Sequence, residues 1–355
     1  MVLELIFVSF FSFCCLFLMR KVAKSVGLVD KPNARKLHVG AIPLVGGISI
    51  FLSIGEFLTT SPNTIEHSYL FLGCTASLIV LGAADDRFDI SFKLRLFMQA
   101  AVSILMITFA DIQLENIGNI LGFGEMSFGV LSPIFTVLAV IGAINAFNMV
   151  DGIDGLLGGL AIVTFGALAY LLKIDSQHGL AYLCAVFIAA TIPYILMNLG
   201  LFGRERRVFM GDAGSMMIGF TVIWMLLGAS QPTTDILIRP VTALWLIAIP
   251  LMDMAAIMYR RVRRGNSPFK PDREHLHHIF QRIGFSSRQT LLIICTIASL
   301  FAAFGIYGET VEIRESIMFG LFIVCFLAYS VALSYVWRIT TWLRRWRGLP
   351  EKVFD

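Results

Sequence analysis

Eleven long apolar runs are the feature that most restricts how this chain can fold. Each run has roughly the 20 residues that a helix needs to cross a bilayer, and together they take up about 220 of the 355 residues. Hydrophobic residues make up 57% of the chain and charged residues 15%, against about 45–50% and about 25% in soluble domains, which excludes a water-soluble globule. The runs are continuously apolar and do not alternate as barrel strands do, which excludes a transmembrane β-barrel.

The sequence therefore predicts an all-α, polytopic membrane helix bundle, with residues 1–355 forming a single integral-membrane domain. The predicted spans are approximately 2–19, 43–60, 68–84, 94–110, 132–149, 155–172, 180–198, 213–228, 241–259, 290–307 and 317–337.

The basic residues predict the orientation of these spans. With the N-terminus outside and the C-terminus cytoplasmic, 25 of the 28 Lys and Arg residues lie in or beside the inside segments, as expected for the cytoplasmic side. These segments are the loops at about 20–42, 85–93, 148–154, 199–212 and 260–289 and the tail at 338–355. The tail, with its arginines and tryptophans, is predicted to lie against anionic lipid of the bilayer, and a nucleic-acid partner is not expected.

Acidic residues from four separate pieces of chain are predicted to meet at the same inside face. They close the third and fifth spans, open the eighth and lie within the ninth: Asp85, Asp86, Asp151, Asp154, Asp212 and Asp253. Repulsion among such groups at a low-dielectric boundary must be offset by cations, shifted pKa values or spacing. A divalent metal is the simplest solution.

Magnesium fits this set of acids better than calcium or zinc, and manganese in its place is left open. Mg²⁺ uses few carboxylates and keeps its other positions for water and phosphate oxygens. Calcium would need more protein oxygens, and zinc prefers His and Cys ligands, whereas the six cysteines all lie in apolar runs.

Two polar patterns favour a functional role over an ordinary helix end. Asn145, Asn148 and Asp151 recur every three residues and therefore share one helix face, although polar side chains are costly within a span. Asp212 lies in VFMGDAGS at the start of a span, where unpaired backbone N–H groups favour an anion. For Asp253 an ion pair with an arginine of the bundle and a functional role are both open.

The longest inside loop, from Tyr259 to Gln289, carries eight of the 28 basic residues and three of the six histidines. The preference for basic residues on the cytoplasmic side of a membrane explains the arginines of this loop, but it does not explain the histidine cluster. Contact of His275, His277 and His278 with phosphate or sugar is favoured. A purely structural loop and a metal site are the alternatives.

These residues together suit phosphoryl transfer between a soluble nucleotide and a lipid, because such catalysis is mainly positioning and charge neutralisation. Five motifs carry a resemblance that covers most of the chain: HVGAIPLVGG (His38–Gly47), DDRFD (Asp85–Asp89), NAFNMVDGIDGL (Asn145–Leu156), VFMGDAGS (Val208–Ser215) and HLHH (His275–His278). In order and placement they resemble the polyprenyl-phosphate N-acetylhexosamine-1-phosphate transferases. The chain looks most like the bacterial members of the family that start O-antigen and enterobacterial common antigen synthesis.

The resemblance, rather than spacing, implies individual roles for residues of the chain. Asp154 and Asp212 would hold the metal, and Phe209 would stack on uracil. Asp85 and Asp86 would lie near the acceptor phosphate, with Arg95 as the basic partner. The histidines would contact the donor, and His275 and Asp151 are further assigned to catalysis. Substrate binding is also assigned to Asn148 and Arg261.

The implied reaction is attack by undecaprenyl phosphate on the sugar-linked phosphorus of UDP-GlcNAc, releasing UMP in the bacterial inner membrane. A single displacement is favoured over a phospho-aspartyl intermediate, since the acceptor phosphate is mostly dianionic at pH 7. Another UDP-N-acetylhexosamine or UDP-MurNAc-pentapeptide as donor, an ion-coupled transporter, and a homodimer are left open. Pro250 predicts a bend in the ninth span. The resemblance implies that the lipid tail runs in a groove beside this bend, and a packing kink without a functional role is the alternative.

Overall fold

The chain folds into fourteen α-helices and one short pair of strands, in a computed structural model that describes residues 1–30, 40–174, 178–231, 238–268 and 274–346. The helices are α1 (Val2–Val26), α2 (Gly46–Thr60), α3 (Ser68–Phe88), α4 (Phe92–Ala110), α5 (Ser132–Val150), α6 (Leu156–Ile174), α7 (His178–Asn198), α8 (Gly211–Ser230), α9 (Pro240–Leu246), α10 (Ala248–Arg263), α11 (Leu276–Ile283), α12 (Ser287–Thr310), α13 (Glu315–Ser334) and α14 (Val336–Trp346). His38, which belongs to the first of the five motifs, lies outside the described residues.

The predicted class, a polytopic helical membrane protein, is confirmed. Within the described ranges, nine helices are long and apolar enough to cross a bilayer, and the bent pair α9–α10 would make a tenth. The remaining predicted span corresponds to α2, which has only 15 residues. Every predicted apolar run therefore falls on a helix, although the number of crossings stays a prediction.

Several helices extend further than the apolar runs from which they were predicted. α1 continues to Val26 and ends at Gly27, whose φ of 76° is the left-handed conformation that glycine adopts without strain. α3 continues to Phe88, so Asp85 and Asp86 lie on its last turn and not in the predicted loop. Charged residues at helix ends therefore concealed the true boundaries.

α8 is the central helix of the bundle, and it packs against α2, α3 and α5. Its first turn lies very close to α2 and α3. A Cβ on Gly47 would lie 2.1 Å from the Cα of Gly214, and a Cβ on Gly82 would lie 2.3 Å from the Cα of Ala213. Small residues thus allow backbone contact here, as is common between membrane helices.

The bend predicted for the ninth span is present, but it lies before Pro250. α9 and α10 meet at 83° across Ile247. Pro250 lies in the first turn of α10, where its missing N–H breaks no helical hydrogen bond. The backbone conformation of Ile247, with φ −116° and ψ 21°, ends α9.

A short pair of strands follows α1 and leads into α2. Strand β1 (Val29–Asp30) pairs antiparallel with β2 (Ile42–Pro43), and Leu44 then bridges in parallel to Phe209. Backbone hydrogen bonds of 2.9 Å join Phe209 N to the Pro43 carbonyl and Gly46 N to the Phe209 carbonyl. The segment before α8 is therefore fixed to the start of α2.

The two ends of the described chain lie at opposite ends of the bundle. The Tyr182 hydroxyl at the start of α7 donates to the Glu4 carboxylate at 2.6 Å and lies 3.2 Å from the Met1 carbonyl. α14 instead packs against α11, where the Arg344 guanidinium donates to the Arg282 carbonyl at 2.7 Å. α11 lies at the end of the bundle that carries the acidic residues described next.

Candidate active site

The last turn of α3 presents Asp85 to the start of α4. The Asp85 carboxylate is 6% exposed and accepts hydrogen bonds from Arg95 at 2.6 Å and from the backbone N–H of Ile90 at 2.8 Å. Its charge is therefore compensated by one arginine and one amide. Arg95 is the basic partner that the resemblance implies.

Asp86 is the less satisfied of the two neighbouring acids. Its Oδ1 accepts the backbone N–H of Asp212 at 3.0 Å, whereas its Oδ2 is buried and has no hydrogen-bond partner among the described residues. Gly211 allows this approach, since its φ is 74° and a Cβ there would lie 2.4 Å from Asp86 Oδ2. The glycine before Asp212 is thus required by both conformation and space.

Asp212 lies in the first turn of α8, where residues from three other helices meet it. The Asn148 amide donates to Asp212 Oδ1 at 2.7 Å and to the Ser215 hydroxyl at 2.8 Å. Arg95 lies 3.9 Å from Asp212 Oδ2. The structure therefore brings Asp85, Asp86 and Asp212 together around one arginine.

Asp151 follows α5 directly and is half-buried beside this cluster. Burial, together with the negative charge of Asp212, raises the pKa of Asp151 to about 7. The Asp151 carboxyl therefore exchanges its proton close to neutral pH.

Asp154 lies on the same loop and is held by an arginine that the sequence analysis missed. Arg207 forms an ion pair with Asp154 Oδ2 and donates to the Asn198 carbonyl at 3.1 Å. The Asn198 amide oxygen in turn accepts the backbone N–H of Gly155 at 2.5 Å. The basic character of loop 199–212 was the only signal for Arg207, and Asn198 had none because it ends an apolar run.

Phe209 lies on the chain segment that leads into Asp212. Its backbone is fixed on both sides by β2 and α2, and its side chain is half-buried. The predicted contact with uracil is untested.

Asp253, for which two roles were open, is almost completely buried at 1% exposure. Within the described part of the chain its side-chain partners are not arginines. His275 Nδ1 lies 2.8 Å from Asp253 Oδ2, and the Tyr329 hydroxyl donates to Oδ1 at 2.5 Å. Of the two open roles, the arginine pair is therefore not the one observed, because Asp253 on α10 faces the histidine loop and α13.

The second histidine of the HLHH motif, His277, lies against the loop that carries Asp151 and Asp154. His277 is 3% exposed, and its Nε2 lies only 2.0 Å from where a Cβ on Gly152 would be. Burial, with the neighbouring His278 and His275, lowers the pKa of His277 well below its usual value. His277 thus packs against the backbone of this loop, and His278 is half-buried with its ring centroid 4.1 Å from that of His277.

Arg261, predicted to bind substrate, is 7% exposed and donates to the Pro268 carbonyl at 2.6 Å. It therefore stabilises the start of the basic loop.

A divalent cation fits the carboxylate cluster better than it fits the histidines. In the described ranges no three His, Cys, Asp or Glu side chains form a preformed metal cage. Mg²⁺ does not need one, because one or two carboxylates with water and substrate phosphates suffice. Among the described residues the buried Asp86 Oδ2 has no hydrogen-bond partner, and it lies beside Asp212, so a cation bound here would compensate two neighbouring carboxylates.

The fold and this cluster define a class: a polytopic membrane protein with an acidic, arginine-supported site at one end of its helix bundle. Residues 68–230, which contain most of the cluster, match the family described as Glycosyl transferase family 4. The chain belongs to this family, and its predicted membership of the polyprenyl-phosphate N-acetylhexosamine-1-phosphate transferases is confirmed.

The similarity to relatives covers almost the whole chain. It is 52% identical to the undecaprenyl-phosphate alpha-N-acetylglucosaminyl 1-phosphate transferase of Yersinia pestis, over 97% of this chain and 94% of the relative. The transferases of the same name from Escherichia coli (strain K12) and Pasteurella multocida are 51% identical over 96% of this chain and 93% of theirs, and 49% identical over 100% and 99%.

Proposed function

We propose that this protein transfers GlcNAc-1-phosphate from UDP-GlcNAc to undecaprenyl phosphate, giving undecaprenyl-diphospho-GlcNAc and UMP. The near full-length identity of about 50% to transferases named for this reaction carries the proposal. The product would be the first lipid-linked intermediate of a cell-surface polysaccharide.

The alternatives are less well supported than this reaction. An ion-coupled transporter would hold its acids near the bilayer midplane, whereas here they lie at helix ends: Asp85 and Asp86 on the last turn of α3, and Asp212 on the first turn of α8. Another UDP-N-acetylhexosamine or UDP-MurNAc-pentapeptide as donor is not what the names of the relatives indicate.

We propose Mg²⁺, or Mn²⁺ in its place, as the cofactor. Asp212 would hold it with Asp154 as the resemblance implies, and the unpartnered oxygen of Asp86 is a further ligand candidate. Bound there, the cation would neutralise the charge of the donor diphosphate. Asp154 can bind the cation only after its ion pair with Arg207 is broken. Arg207 would therefore hold the Asp154 carboxylate in the substrate-free state.

The residues of the chain would then position two phosphates without a strong base. The acceptor phosphate is mostly dianionic at pH 7 and needs no deprotonation. Arg95 already bridges toward Asp85 and Asp212 and would attract that phosphate to the cluster. A single displacement, with Asp85 holding Arg95 in place, is therefore favoured over a phospho-aspartyl intermediate.

The site is proposed to face the cytoplasm from the bacterial inner membrane, where the nucleotide donor is available. This orientation agrees with the basic residues gathered at the same end of the bundle. The lipid tail is proposed to run past the bend between α9 and α10, and a homodimer stays a prediction.

Purified protein incubated with undecaprenyl phosphate and a panel of UDP-sugars tests the proposal by UMP release. We expect turnover with UDP-GlcNAc that chelator abolishes and Mg²⁺ or Mn²⁺ restores. Asp212→Ala and Asp154→Ala should lose turnover by about a hundredfold or more, and Phe209→Ala should raise the KM for the donor. Glu66→Ala, an exposed acid at the opposite end of the bundle, is the matched control and should remain active. Metal-independent turnover, or no turnover with any UDP-sugar, would contradict the proposal.

A further inference from the structure

One buried carboxylate, that of Asp253, joins three separate elements of the fold. It lies in α10 and is 1% exposed. Its Oδ2 lies 2.8 Å from Nδ1 of His275, and its Oδ1 accepts hydrogen bonds from the Tyr329 hydroxyl of α13 at 2.5 Å and from the backbone N–H of Leu276 at 3.1 Å. Three hydrogen-bond donors satisfy the buried carboxylate of Asp253. The carboxylate in turn holds these three donor groups in a fixed arrangement.

The bond to Leu276 makes Asp253 the N-terminal cap of α11. His275 occupies the cap position of that helix but makes no side-chain cap bond of its own. Asp253 supplies the missing acceptor from another helix, and its negative charge suits the positive end of the α11 dipole. The start of α11 is thus fixed to α10.

The bond to His275 fixes the imidazole. A carboxylate that accepts from Nδ1 keeps the proton on that nitrogen and leaves Nε2 for other partners. Tyr329, by donating to the same carboxylate, fixes its orientation from the side of α13. The orientation of His275 is therefore set by residues 22 and 54 positions away in the sequence.

The fixed segment lies directly on the candidate active site. The rings of His275 and His277 are almost parallel, with centroids 5.7 Å apart, and His277 packs on Gly152 between Asp151 and Ile153. Ala256 and Ile257, in the turn of α10 after Asp253, form a buried apolar cluster with Leu333, and Met149 and Tyr329 pack against it. An apolar cluster thus joins the Asp253 anchor to the end of α5.

We infer that Asp253 and Tyr329 are positioning residues of the transferase, which hold His275 and the start of α11 against the loop at 151–154. Neither residue touches the cluster around Asp212; both act through His275. This inference rests on the proposed function and on the donor contact that the resemblance implies for His275.

Asp253→Asn and Tyr329→Phe test the inference by steady-state kinetics of UMP release. We expect kcat/KM for the donor to fall about tenfold to a hundredfold in Asp253→Asn, as for loss of a hydrogen bond to a charged group, and by a smaller factor in Tyr329→Phe. The KM for undecaprenyl phosphate should not change. Tyr335→Phe, at the exposed end of α13, is the matched control and should stay within about twofold of the unaltered protein.

A double-substitution cycle separates positioning from general damage to the fold. In a His275→Gln background, Asp253→Asn should add less than about twofold, because it acts through the ring already removed. A full additional loss in that background would overturn the inference, as would unchanged donor kinetics in both single variants. If Asp253→Asn does not fold, Tyr329→Phe, which keeps the ring and loses only the hydroxyl, gives the same test.

A spectroscopic readout distinguishes failure of the inference from failure of the proposed function. In protein labelled with ¹⁵N-histidine, the Nδ1-protonated form of His275, assigned by its absence in His275→Gln, should be present and should be lost or shifted in Asp253→Asn. An unaltered protein that releases no UMP from any UDP-sugar contradicts the function alone. A His275 signal that Asp253→Asn leaves unchanged contradicts the inference alone.

Discussion

At the scale of single residues, the carboxylate cluster is built for ligand binding at some cost to stability. Asp85 is compensated by Arg95 and an amide, but the Oδ2 of Asp86 is buried beside Asp212 with no partner among the described residues. Such a group destabilises the folded state unless a proton or a cation joins it. Binding sites commonly keep unfavourable groups of this kind.

The first prediction is that Asp86→Asn reduces activity without reducing stability. Asparagine keeps an oxygen for the Asp212 amide but removes one of the neighbouring carboxylates. We expect UMP release to fall by about a hundredfold or more, and the Mg²⁺ concentration needed for half-maximal activity to rise. The unfolding temperature in detergent should stay equal or increase. Asp89→Asn, an exposed acid three residues along, is the control and should change neither. A lower unfolding temperature for Asp86→Asn would show that the carboxylate is stabilising and would contradict this interpretation.

His277 carries the second prediction, which concerns pH. Its pKa in the folded state lies well below its usual value because the ring is buried near two other histidines. The histidine therefore binds a proton more readily in the unfolded chain than in the folded protein. As a result, the free energy of unfolding is highest above about pH 6.5 and falls as the pH is lowered below that value.

Unfolding temperatures measured between pH 5 and pH 8 check this prediction. We expect the unaltered protein to lose more stability on acidification than His277→Gln, which cannot gain the proton at this position. The difference between the two curves isolates the histidine from the carboxylates that titrate in both proteins. Parallel curves would mean that His277 is not buried in its neutral form.

At the scale of whole elements, the position of Asp212 depends on how closely α8 approaches α2 and α3. Gly47 and Gly82 meet the backbone of α8 at Gly214 and Ala213, immediately after Asp212. No larger residue fits at either glycine without moving the helix. The packing of backbone against backbone therefore sets the distance between the acids of α3 and α8.

The third prediction is that Gly82→Ala separates these acids. Its Cβ would lie 2.3 Å from the backbone of Ala213, so the helices must move apart, at a typical cost of about 1–3 kcal/mol. UMP release should fall together with the unfolding temperature. Gly73→Ala in the same helix has open space around its Cβ and should be neutral or slightly stabilising, since alanine favours helix. Equal behaviour of the two variants would contradict the close approach.

At the scale of the whole molecule, the bundle has two chemically different ends. One end holds the aspartates, Arg95 and the histidine segment. The other holds a separate polar network, in which Arg239 pairs with Glu309 at 3.2 Å and donates to the Ile313 and Gly308 carbonyls. Met1 lies at that second end, away from α14.

The fourth prediction is that the two termini lie on opposite sides of the membrane. A fluorescent protein that folds only in the cytoplasm should fluoresce when fused after Asp355, whereas a tag before Met1 should be accessible from outside in intact spheroplasts. An odd number of crossings, as in the proposed eleven, gives this result. Both tags on one side would contradict the proposed topology.

How far the sequence predicted the molecule depended on the kind of signal. Continuous apolar runs predicted every helix that is long enough to span, because hydropathy is local. The acids Asp85, Asp86 and Asp212 were predicted to meet, because each closes or opens a span on the same predicted side. The bend near Pro250 was expected at the wrong residue, because the end of a helix within a continuous apolar run leaves no mark in hydropathy.

What the sequence determined by itself is therefore the membrane class, the helices and the set of chemical groups at one face. Only the tertiary structure decided the partners of those groups. It paired Asp154 with Arg207, and it paired Asp253 with His275 and Tyr329 rather than with an arginine. The physical reason is that composition and periodicity act along the chain, whereas a hydrogen bond between residues tens of positions apart depends on how closely two helices pack and which faces they turn to each other.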